Sequence, residues 1–201
     1  MTETIQTMTG SDPQAVLAHP SVEELVRRVD ELSAQVATLR AQMPEDRITL
    51  GLLSGDFDRT MAAFIIALGC RAYDIEVDVF ATFWGSAAFR DKSKRVDKSA
   101  LDRMFGVMLP RGSTQLPLSK LQMMGIGPKM IRKLMASRGA TSLEDLLRQA
   151  GEMGVRVHIC TMTMGLMGLK TEEMLDYPGL DFVGVSQFVD MMNRSRNCWF
   201  F

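Results

Sequence analysis

The chain has 201 residues, 46% of them apolar and 23% charged, with a mean hydropathy near zero; this suffices for one cored domain plus an appendage and excludes a disordered polymer. The longest apolar stretch, around residues 61–68, falls far short of a membrane-spanning helix, and MTETIQTMTG has neither the basic start nor the apolar core of a secretion signal, so a cytoplasmic protein is expected. The net charge of −1 hides an asymmetry, because residues 86–138 carry twelve Lys and Arg against three Asp and Glu while the rest of the chain is acidic. That pattern favours an anionic ligand or an acidic partner and argues against a nucleic-acid binder, which is usually basic overall.

In chain order, residues 1–20 read as a loose tail. From Ser21 to Met43, Val22, Leu25, Val29, Leu32, Val36, Leu39 and Met43 recur at spacings of three and four, a heptad pattern with Ser21 and Glu24 as a capping box and Pro44 as the stop. Valine at a with leucine at d favours a two-stranded parallel coiled coil, so residues 21–43 are expected to drive homo-oligomerisation. From residue 48 to 201 the pattern turns α/β. Ile48 to Ser54 predicts a strand, and Asp58 can cap a helix through Arg71. Further strands are predicted at Glu76 to Phe83, Val155 to Cys160, Phe182 to Val185 and Asn197 to Phe201, with a helix over Leu143 to Glu152. Alternating strands and helices predict a small, mainly parallel sheet of about five strands covered on both faces.

The basic block coincides with a long insertion, Ser86 to Ala140, too long for a plain crossover and expected to form a lid or contact surface. It is rich in methionine (Met123, Met124, Met130 and Met135), and Pro128 is placed to begin a basic helix running through Arg138. Methionine packs irregular gaps, so core filling is the simpler expectation and a sulfur-lined metal site the less favoured one.

Ligands of an open α/β sheet bind at the carboxyl ends of its strands. Three features fall there: the loop from Ser54 through Gly55 and Asp56, the Trp84-Gly85 pair, and Cys160. Cys160 is the sole nucleophile among them, at a strand end where a following helix would direct amides at its sulfur. His158, two residues earlier, shares its strand face, as a proton acceptor or as a buried residue. Arg111, in a loop expected to approach the site, is the one cation nominated to support an anionic sulfur species. Cys70 and Cys198 lie in apolar surroundings and read as small buried hydrophobes; with no C-x-x-C pair, three free thiols are expected rather than a disulfide framework.

The stretches ITLGLLSGDFDRTMAAFIIALGC, VDVFATFWG, LPRG, LPLSK, MMGIGPKM and VHICTMTMGLMGLKTEEM together resemble the DsrE/DsrF/DsrH-like sulfur-carrier and sulfurtransferase superfamily, in its methionine-rich branch. The resemblance runs from about Ile48 to Phe201. It implies a flavodoxin-like layering, oligomerisation, and sulfane sulfur carried as a persulfide at the position of Cys160 and passed to the thiol of another sulfur-transfer protein or exchanged with low-molecular-weight persulfides or thiosulfonates. No organic cofactor, metal, nucleic acid or membrane span is expected. The competing expectation is a non-catalytic assembly or binding subunit of the same fold with Cys160 structural; a peroxide-reducing thiol is a third. No Walker or Rossmann glycine fingerprint is present.

Overall fold

Ser21 opens the first helix as its sequence predicts: its hydroxyl accepts the Glu24 backbone N–H at 3.2 Å, and α1 runs from Val22 to Gln42. Only half of the capping box forms, because the Glu24 carboxylate turns forward to Arg27 and Arg28. The computed structural model describes residues 20–201, so all but the last residue of the tail expected over 1–20 lies outside the described residues. Two units follow one another along the chain, one ending at Met43 and the other comprising Pro44 to Phe201. In α1 every residue of the heptad seam, from Val22 and Leu25 to Leu39, is exposed.

The second unit contains a five-stranded, all-parallel sheet in the order β4-β3-β2-β1-β5. Its strands are β1 (Glu45–Leu52), β2 (Glu76–Ala81), β3 (Arg156–Cys160), β4 (Leu180–Val183) and β5 (Ser195–Phe200). Strand β1 is followed by α2 (Phe57–Arg71), and α3 (Ala100–Met108), α4 (Ile126–Ser137) and α5 (Leu143–Glu152) lie between β2 and β3. Helix α6 (Thr161–Met167) follows β3 directly, and α7 (Val185–Arg194) leads into β5.

Strand alternation divides the core between the two faces. Ile48, Leu50 and Leu52 of β1, Val77, Val79 and Ala81 of β2, and Val157 and Ile159 of β3 pack in the main core with Phe57 and Phe64 of α2 and Leu143, Leu146 and Leu147 of α5. On the opposite face a smaller cluster of Phe80, Cys160, Val183 and Phe188 packs with Met191 and Met192 of α7. Phe80 and Phe188 stack there with ring centroids 4.3 Å apart.

Several local expectations shift. The second strand stops at Ala81, and Phe83 to Phe89 forms a 3₁₀ segment instead. Asp56, not Asp58, occupies the start of α2. The Asp58 carboxylate instead accepts bonds from the Ser119 N–H at 2.9 Å and its hydroxyl at 2.5 Å, which ties the insertion to the first turn of α2. The expected insertion is not a lid throughout: Ser86 to Phe89 is buried, and Arg90 pairs with Glu173 inside the domain. Pro128 is the third residue of α4 rather than its first. The methionines divide, with Met164 and Met167 buried and Met135 packed on the core, whereas Met123, Met124, Met130 and Met162 are exposed.

Candidate functional site at the carboxyl edge of the sheet

Because all five strands are parallel, Leu52, Ala81, Cys160, Val183 and Phe200 end on one edge of the sheet. Cys160 is the last residue of β3 and the N-cap of α6, with its thiol on the α7 face and the residue only 2% exposed. Burial raises its pKa. Hydrogen bonding opposes that effect, from the backbone N–H groups of Thr163 and Met162 and from the Thr163–Thr82 hydroxyl pair, which has one proton left for the sulfur once the two are bonded to each other. The net result holds the thiol below its ordinary value. Burial alone raises the thiols of Cys70 and Cys198, so of the three free cysteines only Cys160 is biased toward the thiolate.

The donors have a structural origin. Thr82 follows β2 and Thr163 lies in the first turn of α6, and their hydroxyls meet at 2.7 Å. Thr163 Oγ1 also accepts the Phe83 N–H at 3.2 Å. Phe83 has a φ of +46°, the left-handed region that a bulky residue seldom adopts, and turns the chain there while remaining partly exposed. The sequence reading missed Thr82, Phe83 and Thr163. The C-T-M-T spacing put Thr163 in the right turn, but its bond to Thr82 depends on β2 and β3 being neighbours.

His158 shares the strand face of Cys160, and both its ring nitrogens are taken by carboxylates: Nδ1 lies 2.5 Å from Asp181 Oδ1 and Nε2 2.9 Å from Asp78 Oδ1. Burial opposes a charged imidazole, but the Asp78 hydrogen bond and the charges of Asp181 and Asp78 outweigh it and raise the His158 pKa. Neither nitrogen is left to accept a thiol proton. Burial would likewise raise the Asp78 pKa, yet bonds from His158, Arg47 and Arg156 hold it well below the carboxylate range. Asp78 is 1% exposed, although its place in the alternating EVDVF run suggests a solvated face; Arg47 of β1 and Arg156 and His158 of β3 close around it.

The remaining site candidates gather elsewhere. Gly55, Asp56 and Trp84 line a cavity of about 630 Å³ with Phe200 and Phe201, at the carboxyl ends of β1 and β5. The topological switch point lies elsewhere: α6 leaves β3 over the main-core face and α7 leaves β4 over the other, so the crevice between opposite exits falls at the carboxyl ends of β3 and β4, beside Cys160. Cys160 does not line that cavity, from which β2 separates it. Gly85 is a packing residue: a Cβ there would lie 2.3 Å from the Leu52 carbonyl oxygen. Arg111 lines a different cavity together with Arg90 and Glu173. Cys198 lies on β5 level with Arg156, and with β2 and β1 between, strand spacing alone sets it at least about 14 Å from Cys160, beyond disulfide reach.

Among the described residues no group of three or more His, Cys, Asp or Glu side chains is placed to hold a metal ion, and no helix is long and apolar enough to cross a membrane. The chain is 46% identical over 144 residues to the uncharacterised protein YrkE of Bacillus subtilis, an alignment covering 71% of this chain and 89% of that one. It is 27% identical over 160 residues to the sulfur carrier protein DsrE2 of Allochromatium vinosum, covering 78% and 98% of the two chains. Among solved structures, the ychN protein from E. coli aligns with a TM-score of 0.44 at 9% identity, covering 77% of this chain and 97% of that one. The family model for DsrE/DsrF/DrsH-like proteins matches residues 44–200, the whole parallel sheet with its helices, and the chain belongs to that family.

Proposed function

We propose that the protein carries sulfane sulfur as a persulfide on Cys160 and passes it to the thiol of a partner in cytoplasmic sulfur metabolism. The observation that carries this reading is the ring of donors from Thr82, Met162 and Thr163, which lowers the pKa of one buried thiol while the other two are raised. The similarity to a sulfur carrier supports it.

In loading, the Cys160 thiolate attacks the outer sulfur of a donor persulfide. A new S–S bond forms, the donor's own S–S bond breaks, and the donor thiolate leaves. Unloading runs the same exchange with an acceptor thiolate, which takes the outer sulfur and releases Cys160 as thiolate; neither step needs an external oxidant or reductant. The donors that favour the thiolate also make Cys160 a good leaving group. Access runs along the edge formed by Phe83 and Met162, both exposed beside a thiol that is not. The exposed seam of α1 is read as the self-association helix of a homo-oligomer, because an all-solvent valine and leucine stripe at heptad spacing fits a second copy of itself.

Intact-protein mass after incubation with a polysulfide tests the carrier reading. Wild type, Cys70→Ser and Cys198→Ser should each gain 32 Da, about the mass of one sulfur atom, and Cys160→Ser should gain none. An adduct surviving in Cys160→Ser at the wild-type level would overturn the assignment.

A further inference from the structure

The basic residues of the insertion are not equivalent. Arg132 is committed to packing: its guanidinium lies 4.2 Å from the centroid of the Phe57 ring, donates to the Ser113 carbonyl at 2.6 Å and faces Glu144. Others converge on a cavity of about 460 Å³ whose wall includes Arg90, Arg95 and Arg111. Its internal charges are largely matched. Glu173, buried, accepts from Arg90 Nη2 at 2.9 Å and from Lys98 Nζ. Asp91 accepts bonds from the Ser93 N–H and hydroxyl, and Lys94 binds the Met174 carbonyl and Asp176.

Arg95, Arg111 and one carboxylate, Asp97, remain. All three line the cavity, and among the described residues neither guanidinium has an ion-pair partner, so the unmatched groups leave a net positive charge on the wall. Arg111 is moreover held in place by its loop. Arg90 Nη1 donates to the carbonyls of Leu109 and Pro110 at 3.2 and 3.1 Å, and the Gly112 N–H donates to the Ala87 carbonyl. Gly112 has a φ of +93°, and a Cβ there would lie 2.4 Å from the Arg90 carbonyl oxygen. A braced loop therefore carries Arg111 to the same cavity wall as Arg95, so part of the ordering that anion binding requires is already done. Arginine pairs match tetrahedral oxyanions through parallel N–H bonds.

We propose that this cavity binds a small molecule bearing a doubly charged tetrahedral oxyanion, of phosphate or sulfur-oxyanion type, through the guanidiniums of Arg95 and Arg111. A volume in the small-molecule range leaves room for a body beyond the oxyanion itself. The site is separate from the thiol. Lys98, on its wall, donates to the carbonyl of Gly168, the C-cap of α6, whereas Cys160 is the N-cap of the same helix, about 12 Å away along its axis. The inference does not depend on persulfide chemistry.

The test is isothermal titration of the full-length Cys160→Ser protein, so that thiol exchange contributes nothing, with inorganic phosphate, pyrophosphate and thiosulfate at constant ionic strength. At least one should bind saturably with one site per chain, and whether a phosphate or thiosulfate does so identifies the source of the oxyanion. Adding Arg95→Gln and Arg111→Gln should weaken that binding at least tenfold, while circular dichroism and the ligand-free melting temperature stay unchanged. Adding instead Lys129→Gln and Lys133→Gln, exposed on α4, removes the same charge and should leave affinity within twofold. No saturable binding by any of the three anions, or equal loss in the lysine and arginine variants, would overturn the proposal.

Discussion

Thr82 and Thr163 join their hydroxyls at 2.7 Å across the ends of two neighbouring strands, and the hydroxyl proton not used in that bond is available to the sulfur of Cys160. One threonine pair therefore ties the start of α6 to the end of β2 and helps to hold the thiol below its ordinary value. Replacing Thr163 by valine keeps its backbone N–H and removes its hydroxyl. The midpoint of the pH–rate profile for Cys160 alkylation by iodoacetamide should rise by about one unit, equivalent to about 1.4 kcal/mol. An unchanged profile would show that the hydroxyls do not act on the sulfur.

The His158 network predicts a pH dependence of stability. The folded-state pKa of His158 is raised above its ordinary value, so its contribution is full below about pH 6.5 and is lost as pH rises through the raised value. Asp78 behaves oppositely: its pKa is depressed, so its contribution is full above about pH 3.9 and is lost as pH falls through the depressed value. The stability difference between wild type and His158→Gln in urea should therefore be largest near pH 5 and smaller at pH 9. Equal differences at both would mean that the imidazole charge does not stabilise the fold.

Two glycines should respond in opposite directions. Gly85→Ala drives a methyl into the Leu52 backbone and should destabilise the protein by about 2 kcal/mol or more. Gly69, within α2, has open space around its Cβ position, and Gly69→Ala should stabilise by about 0.5–1 kcal/mol. Urea unfolding of the two variants beside wild type checks the signs.

The exposed seam of α1 predicts that charge at its d positions disrupts assembly. Leu32→Glu with Leu39→Glu should lower the mass seen in sedimentation velocity, because carboxylates would otherwise be buried unpaired in a coiled coil. A wild-type mass at every protein concentration would refute self-association through this helix.

Much was legible in the sequence because it is written locally. The heptad spacing and Ser21 cap predicted α1 almost to the residue, and the β-branched runs around Leu50, Val79 and Val157 predicted the central strands of a parallel sheet. Cys160 could be placed at a strand end for the same reason. What sequence spacing could not supply were relations across the sheet. Asp78 is buried among Arg47 of β1 and Arg156 and His158 of β3, and His158 is saturated only because Asp78 and Asp181 flank it from adjacent strands. Arg111 faces a cavity away from Cys160 because Arg90 fixes its loop from a distance of about twenty positions. Periodicity records which face of an element is apolar; strand order and helix coverage decide which polar groups meet there, and those meetings set the charge of the thiol.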